Sequence, residues 1–233
     1  MKAIITGATK GIGRALAEKF AAEGFDLAVC ARTATDLDNL RAQLSGVYPT
    51  TQIITEVADL SEKADCLRFA QTIERQWGAV DVLINNAGAY TPGNVSDEPD
   101  GALERMIGVN LYSAYHLTRG LLPLMVKRGA GHIFNMCSVA SLRAFPNGGA
   151  YSIAKFALYG MSQNLREETK TSGIKVTSIL PGATWSASWE GVDLPESRLM
   201  QAEDIAHAVF ACYQTGPSAV VEDLIIRPQL GDL

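Results

Sequence analysis

Short runs of apolar and β-branched residues alternate along this chain with longer segments in which apolar residues recur at helical spacing. The short runs predict seven β-strands, over residues 2–6, 26–31, 51–58, 80–86, 131–138, 174–180 and 219–227. Strands that alternate with helices form a parallel sheet with helices on both faces. The pattern therefore predicts an α/β fold in one domain over residues 1–233, a doubly wound and mostly parallel seven-stranded sheet.

One long segment, from Gly182 to about Met200, shows neither the strand period nor the helix period. An irregular segment of this length in a compact domain is typical of a lid or a binding loop. A disordered surface insertion is the alternative, but Trp185 and Trp189 are costly to leave in water. We therefore expect residues 182–200 to form a substrate lid.

Composition and charge narrow the classes of function. Of the 233 residues, 47% are hydrophobic and 19% are charged, as is ordinary for a soluble globular protein. The formal net charge of −5 disfavours nucleic acid as a partner, because phosphate binding needs a clustered basic surface. No apolar run approaches the ~18 residues of a membrane span, and the N-terminus does not resemble a secretory leader. We expect a cytoplasmic protein that binds a small molecule.

The cysteines and histidines indicate no metal site. The four cysteines are far apart and form no CxxC pair, and the three histidines show no ligand spacing. We expect no metal cofactor, and we expect most of the cysteines to be buried as small apolar residues.

A glycine-rich turn follows the first strand directly. In TGATKGIG, Gly7, Gly11 and Gly13 stand where the chain turns into the first helix. Glycines there allow a pyrophosphate to approach backbone N–H groups at the positive end of the helix. The G-x-x-x-G-x-G spacing is not the common fingerprint, and an ordinary strand-to-helix turn explains one or two of the three. The position at the first strand of an alternating pattern favours dinucleotide binding.

The end of the second strand bears on which dinucleotide binds. In such folds an acidic residue at this point binds the 2′-hydroxyl of NAD. This chain instead has Arg32 and Thr33 there, with Lys10 in the glycine loop. A guanidinium matches phosphate geometry, so the missing acid and the present base favour the 2′-phosphate of NADP. A solvated arginine near a helix start is the alternative.

Tyr151 and Lys155 are four residues apart in a predicted helix, so they project from the same helical face. A non-catalytic interpretation is that Lys155 extends to solvent from a half-buried helix, with Tyr151 packed beside its aliphatic stem. Two further polar residues bear on the choice. Ser138 ends the fifth strand, and Asn110 lies within a predicted helix, where asparagine is unfavourable unless its amide is used.

With these motifs in this order, the chain resembles the short-chain dehydrogenase/reductase family over almost its whole length. The motifs are TGATKGIG, ADL (58–60), NNAG, Asn110, Ser138, YSIAK and PGATWS. The resemblance implies a Rossmann-type fold and a catalytic tetrad of Asn110, Ser138, Tyr151 and Lys155. Together with Lys10, Arg32 and Thr33, the expected cofactor-binding residues are Gly7, Thr9, Gly11, Ile12, Gly13, Asp59, Leu60, Asn86, Ala87, Gly88, Asn110, Tyr151, Lys155, Pro181, Gly182, Thr184 and Ser186.

The resemblance gives the tyrosine and lysine pair a chemical meaning. A phenol has a pKa of about 10, and we expect the Lys155 ammonium and an oxidised nicotinamide to lower the pKa of Tyr151. Tyr151 then donates a proton to a carbonyl oxygen during reduction and takes it back during oxidation, while Ser138 polarises that oxygen. By the same resemblance, Lys155 binds the nicotinamide ribose and Asn110 holds a water that links Lys155 to solvent.

The expected function is NADP(H)-dependent hydride transfer between the nicotinamide and a carbonyl or secondary alcohol. The PGATWSASWEGVD loop and the IIRPQLGDL end look similar to bacterial sepiapterin reductase-like members, while the core is equally compatible with a 3-oxoacyl-[acyl-carrier-protein] reductase. A non-catalytic NADP-binding sensor or scaffold is the alternative of a different class. The candidate substrate-contacting residues are Tyr90, Phe145, Trp185 and Trp189, which form either an aromatic wall or lid packing.

The helices predicted near residues 101–128 and 150–171 carry apolar residues around much of their circumference. One sheet face cannot cover this much apolar surface, so we expect a subunit interface. The family resemblance likewise implies a homodimer or a homotetramer.

Overall fold

In the computed structural model, which describes residues 1–185 and 194–231, seven strands form one sheet. The strand order is β3-β2-β1-β4-β5-β6-β7, and every pairing is parallel. The strands are β1 (Lys2–Thr6), β2 (Asp26–Ala31), β3 (Ile53–Val57), β4 (Val82–Asn85), β5 (Gly131–Met136), β6 (Ile174–Pro181) and β7 (Asp223–Ile226). The predicted α/β fold is confirmed, and the sheet is wholly rather than mostly parallel.

Helices connect the strands and cover both faces of the sheet. They are α1 (Gly11–Ala22), α2 (Ala34–Val47), α3 (Lys63–Trp77), α4 (Ala102–Ile107), α5 (Ser113–Arg128), α6 (Gly149–Thr169) and α7 (Ala202–Tyr213). A π-helical turn, Gly108–Tyr112, joins α4 to α5. Short 3₁₀ turns occupy Val139–Ser141, Lys170–Ser172 and Glu196–Arg198.

The two faces of the sheet each have their own apolar layer. On one face α1 and α7 pack through Phe20 and Phe210, together with Phe25 from the turn before β2. The ring centroids of these three residues lie 5.0 to 6.3 Å apart in edge-to-face contacts. The same layer includes Leu37, Leu40 and Leu44 of α2. On the other face α3, α5 and α6 pack through residues that include Phe69 and Leu117. Because the central strands are covered on both sides, their residues read as continuous apolar runs. All four cysteines are buried within this packing, as expected.

The last strand is shorter than the sequence predicts. The predicted strand covers residues 219–227, but β7 pairs with β6 only from Asp223 to Ile226. Before this point a side chain holds the segment, since the Thr177 hydroxyl donates to the Val221 carbonyl oxygen at 2.6 Å. A side-chain contact of this kind leaves no trace in the hydrophobic pattern.

The strand order reverses beside β1, which lies between β2 and β4. The loops that follow β1 and β4 therefore leave the sheet in opposite directions and open a crevice at its carboxyl edge. The loop after β5 and the start of α6 reach the same edge. No helix within residues 1–185 and 194–231 is long and apolar enough to cross a bilayer.

Candidate active site

The glycine loop is built into the crevice by close backbone approach. A Cβ atom on Gly13 would overlap the Gly7 carbonyl oxygen and the Asn86 amide nitrogen, so only glycine allows α1 to start this close to β1. At the start of α1, Lys10 makes no side-chain capping hydrogen bond. The first-turn N–H groups of α1 are thus available to an anionic ligand, as dinucleotide binding requires.

Asn86 holds this loop to the neighbouring strand. Its side-chain amide donates to the carbonyl oxygens of Thr6 at 2.9 Å and Gly7 at 3.2 Å. In return the Thr6 hydroxyl accepts from the backbone N–H groups of Asn86 and Ala87 at 2.9 and 2.8 Å. The sequence predicts only a cofactor-bordering role for Asn86. Its positioning of the glycine loop follows from the parallel register of β1 and β4, which brings a hydroxyl and an amide together.

The basic residues expected at the 2′-phosphate lie at the carboxyl end of β2. Thr6 pairs in register with Cys30, so the glycine loop adjoins the segment that contains Arg32 and Thr33. Arg32, Thr33 and Lys10 are exposed. Within the described part of the chain, no carboxylate forms an ion pair with Arg32 or Lys10. Both cations are therefore free to meet an anion from solution.

Asp59 and Leu60 follow β3, where they begin the turn into α3. One Asp59 carboxylate oxygen accepts from the Ser61 backbone N–H at 3.0 Å and from the Ser61 hydroxyl at 2.7 Å. Leu60 is buried. The two residues thus shape the wall of the crevice beyond β2.

Asn110 lies in the π-helical turn and uses its amide fully. Its Nδ2 donates to the carbonyl oxygens of Ala89 at 3.0 Å and Met106 at 3.2 Å, and its Oδ1 accepts from the Ala89 backbone N–H at 3.3 Å. The expectation that the amide is used is confirmed. A widened turn of this kind interrupts the helix where the sequence places Gly108 and Asn110, and such turns are frequent at functional sites.

Ser138 and Tyr151 meet at the carboxyl edge of β5. The Ser138 Oγ accepts from the Ala140 backbone N–H at 3.1 Å, which opens the 3₁₀ turn after the strand. The Ser138 hydroxyl also interacts with the Tyr151 phenol, and this interaction favours the phenolate. Above Tyr151, the ring of Tyr90 lies edge to face, with centroids 5.0 Å apart.

Lys155 is buried, with 5% of its surface exposed. Its Nζ donates to the Met136 carbonyl oxygen at 2.7 Å and lies 5.8 Å from the centroid of the Tyr151 ring. A Cβ atom placed on Gly88 would lie 2.7 Å from Asn110 Oδ1 and 3.5 Å from Lys155 Nζ. The four residues of the expected tetrad are therefore brought together, with Asn110 and Lys155 both close to Gly88.

Burial shifts the pKa values of both Lys155 and Tyr151. Burial lowers the pKa of Lys155 to about 8. Burial raises the pKa of Tyr151, and the interaction with Ser138 only partly opposes this rise. The prediction that Lys155 and an oxidised nicotinamide together lower the pKa of Tyr151 does not hold for the protein chain by itself. The main reason is desolvation of the phenol, and the Lys155 ammonium does not offset it because it donates to the Met136 carbonyl oxygen.

The carboxyl end of β6 carries the segment expected to bind the carboxamide. Pro181 ends the strand, the Gly182 N–H donates to the Ile226 carbonyl oxygen at 2.8 Å, and the buried Thr184 hydroxyl donates to the Gly182 carbonyl oxygen at 3.0 Å. Ser186 and Trp189 lie outside the described residues, so their roles stay predictions.

The two ends of the predicted lid are joined by backbone hydrogen bonds. The Trp185 N–H donates to the Met200 carbonyl oxygen at 2.8 Å, and the Met200 N–H donates to Ala183 at 3.2 Å. On the other rim, Phe145 stacks on the Arg143 guanidinium at 4.9 Å. Trp185 and Phe145 are partly buried, while Tyr90 is 48% exposed.

A glycine-lined crevice at the switch point of a parallel sheet, with a tyrosine, a serine and a buried lysine beside it, defines a dinucleotide-binding oxidoreductase site. Comparison with known proteins agrees. Residues 1–195 match the family model described as short chain dehydrogenase, and the chain belongs to that family. The protein is therefore an oxidoreductase of the short-chain dehydrogenase family.

Individual relatives match over almost their full length. Sepiapterin reductase of Chlorobaculum tepidum is 35% identical, with 99% of this chain and 97% of that protein covered. Among solved structures, an alcohol dehydrogenase from the archaeon Thermococcus sibiricus, complexed with 5-hydroxy-NADP, is similar with a TM-score of 0.90 and 25% identity, covering 98% of this chain and 96% of that one. L-sorbose reductase from Gluconobacter frateurii, complexed with NADPH and L-sorbose, gives a TM-score of 0.89 and 25% identity, covering 97% and 94%.

Proposed function

We propose that this protein catalyses the NADP(H)-dependent reduction of a carbonyl compound and the reverse oxidation of a secondary alcohol. One observation carries the proposal. Asn110, Ser138, Tyr151 and Lys155 meet at the carboxyl edge of the sheet, beside a glycine loop with free helical N–H groups. A sensor or scaffold that only binds a dinucleotide has no need of a buried lysine next to a tyrosine and a serine that interact.

The crevice suits NADP. Gly7, Gly11 and Gly13 would receive the pyrophosphate, and the unpaired Arg32 and Lys10 would receive the 2′-phosphate. Asp59, Leu60 and residues 86–88 would border the adenosine, and residues 181–184 the nicotinamide. The proteins of known structure cited above are complexed with NADPH or 5-hydroxy-NADP, which supports the same choice. When bound, this cofactor supplies the hydride for the carbonyl carbon or accepts it from the alcohol.

Tyr151 supplies the proton. Its raised pKa keeps the phenol protonated at neutral pH, so Tyr151 can donate its proton to the carbonyl oxygen as the alcohol forms. Ser138 would hold that oxygen, since its hydroxyl already interacts with the phenol. Lys155, with a pKa of about 8, can return a proton to the phenolate, and Asn110 lies close to Gly88 as Lys155 does.

The substrate we propose is a heterocyclic carbonyl compound of the pteridine class. The 35% identity to a sepiapterin reductase supports it. So does Tyr90, an exposed aromatic ring directly over Tyr151 on which a flat heterocycle can stack.

A 3-oxoacyl-[acyl-carrier-protein] reductase needs a basic surface for the acidic carrier. The cations that could form one are Arg119, Lys127, Arg128 and Arg143, and they form no dense cluster in the sequence. Arg119 donates to the Tyr115 hydroxyl at 2.9 Å, Arg128 forms an ion pair with Asp81 at the amino edge of the sheet, and Arg143 stacks on Phe145. These positions disfavour the carrier-protein alternative.

The test is NADPH consumption by the purified protein with sepiapterin, an aliphatic diketone and a 3-oxoacyl thioester. We expect the highest kcat/KM with sepiapterin. We also expect Tyr90→Leu to lower kcat/KM more for sepiapterin than for the aliphatic diketone, while Tyr90→Phe preserves the preference. A higher kcat/KM for the thioester would contradict the substrate assignment.

We also propose that two copies of this chain associate through α5 and α6. A groove of about 830 Å³ runs between these helices. Tyr112, Tyr115, Val126 and the adjacent Phe156 are each 39% or more exposed. Arg119 and Glu168 both line the groove, so two copies related by a two-fold axis can place opposite charges against each other.

Light scattering tests this association. The expected mass is two or four times the 25.0 kDa of one chain. Val126→Glu should lower the mass, whereas Val47→Glu, which charges an exposed apolar residue on α2, should not. A 25 kDa particle for the unmodified protein at micromolar concentration would contradict the proposal.

A further inference from the structure

The helix that carries Tyr151 and Lys155 has no cap of its own. It begins at Gly149 after Gly148, and neither residue has a side chain that can accept a hydrogen bond. The first N–H groups of any helix lack intrahelical partners, so this helix needs an acceptor from elsewhere. The acceptor comes from the segment after β4, 52 residues earlier in the chain.

Glu98 is that acceptor. The Ala150 N–H donates to both of its carboxylate oxygens, at 2.9 and 3.1 Å. A carboxylate also suits the positive end of a helix. The carboxylate lies where a side chain on Gly149 would otherwise be, because a Cβ atom there would overlap Glu98 Oε1. Ala150 directly precedes Tyr151, so the contact acts on the first turn of the catalytic helix.

Backbone contacts continue this connection along the same loop. The Gly93 N–H donates to the Asn147 carbonyl oxygen at 3.1 Å, and the Asn147 N–H donates to Asn94 Oδ1 at 3.3 Å. The loop also carries Tyr90, whose ring covers Tyr151. The contacts of Glu98 and residues 93–94 therefore fix the position of Tyr90 relative to Tyr151.

We propose that Glu98 is a positioning residue for the reaction. It holds the start of α6 and the Tyr90 loop together, so that the Tyr151 hydroxyl and the Tyr90 ring face the substrate in one arrangement. This inference rests on the proposed function for the role of Tyr151. A small displacement of a proton donor lowers the rate steeply, whereas the cofactor contacts proposed above do not involve Glu98.

The test compares three variants as complexes with NADPH. Glu98→Ala removes the acceptor, and we expect its kcat for the carbonyl substrate to fall about tenfold while the NADPH Kd stays within about twofold of wild type. Glu98→Gln keeps an acceptor oxygen at the same place and should restore kcat to within about threefold of wild type. Asp204→Ala is the matched control. It removes a carboxylate that accepts from the Gln201 N–H at 3.0 Å at the start of α7, and its kcat should not change.

A second readout needs no turnover. Hydrogen exchange at residues 148–152 should be faster in Glu98→Ala than in wild type or Glu98→Gln. Unchanged kcat in Glu98→Ala, an equal loss in Glu98→Gln, or an equal loss in Asp204→Ala would each overturn the proposal. A wild-type protein that reduces no carbonyl would refute the proposed function, and unchanged exchange in Glu98→Ala would then separately refute the contact.

Discussion

The two ends of β5 differ in how their polar groups are satisfied. At the amino end, a cavity of about 690 Å³ is lined by basic residues that already have partners within the chain. Arg128 pairs with Asp81, Arg166 pairs with Glu222 and Asp223, and Lys175 donates to the Thr215 and Gly216 carbonyl oxygens. Arg128, Arg166 and Lys175 thus stabilise the fold, since each already has a partner within the chain.

At the carboxyl end the polar groups are held in place without being neutralised. Lys155 donates to one backbone carbonyl oxygen, and the hydroxyl groups of Ser138 and Tyr151 meet at the surface of the crevice. Arg32 and Lys10 have no carboxylate partner among residues 1–185 and 194–231. A basic cavity alone therefore does not indicate a binding site. A cation can bind an anionic ligand where the chain itself supplies no partner for it.

Removal of the Tyr151 hydroxyl should have the largest effect. Tyr151→Phe deletes the proton donor while keeping the ring against Tyr90, so kcat should fall by about 10²–10⁴-fold. NADPH binding, measured by the change in cofactor fluorescence, should stay near the wild-type level. His132→Phe at the other end of β5 should leave kcat at pH 7 unchanged. Near-normal turnover in Tyr151→Phe would refute the proposed mechanism.

A residue at the amino end of β5, His132, should instead affect how the free energy of unfolding changes at acid pH. His132 is 2% exposed, and its Nε2 lies 2.7 Å from the Thr177 hydroxyl oxygen. That hydroxyl already donates to Val221, so His132 must donate from Nε2, and its Nδ1 has no partner in the described residues. Burial, with the charge of Lys175, lowers the pKa of His132 to about 3.

The sign of the pH effect follows from this lowered pKa. An unfolded histidine has a pKa of about 6.5, so between pH 6.5 and 3 only the unfolded chain binds the proton. The free energy of unfolding should therefore fall as the pH falls below 6.5, by about 2 kcal/mol between pH 6.5 and pH 5. Denaturant unfolding at several pH values measures this slope. His132→Phe should lose this fall in the free energy of unfolding below pH 6.5. His207→Phe, on the exposed face of α7, should keep it. An equal slope in all three proteins would contradict the assignment.

Some features of the two ends can be predicted from the sequence, and others cannot. Strand alternation and the glycine loop are local signals, and they predict the fold and the position of the crevice correctly. Mid-helix Asn110 is likewise correctly expected to use its amide, since an unused amide is unfavourable there. The error over the pKa of Tyr151 has a different origin. Desolvation depends on everything that packs around a side chain, and a four-residue spacing does not contain that information.

Long-range contacts are the other part that sequence does not supply. Nothing in the segment around Glu98 distinguishes it from the neighbouring Asp97 or Asp100, yet only the fold brings its carboxylate to Ala150. His132 is a similar case, because its position near the start of a strand does not reveal the Thr177 contact. Roles that depend on pairing across 45 residues or more become visible only in the structure.

The choice of cofactor should depend on one charge at the carboxyl end of β2. If Arg32 pairs with the 2′-phosphate, Arg32→Asp should weaken NADPH binding by lost attraction and added repulsion, while it offers the 2′-hydroxyl of NADH an acceptor. A charge-assisted pair is worth about 1.5–3 kcal/mol, so the NADPH/NADH ratio of kcat/KM should fall at least about tenfold. Higher ionic strength should also erode the wild-type preference, because the site is exposed and screening weakens the pair.

The matched control makes the same charge change at the opposite edge of the sheet. Arg75 lies in the last turn of α3 and is exposed like Arg32, so Arg75→Asp alters the net charge equally without approaching the glycine loop. Its NADPH/NADH ratio should equal that of wild type, since an interaction across the sheet is screened by solvent. Parallel changes in the two variants would mean that overall charge, and not a local ion pair, sets the preference. An unchanged ratio in Arg32→Asp would leave Lys10 or Thr33 as the residue that binds the phosphate.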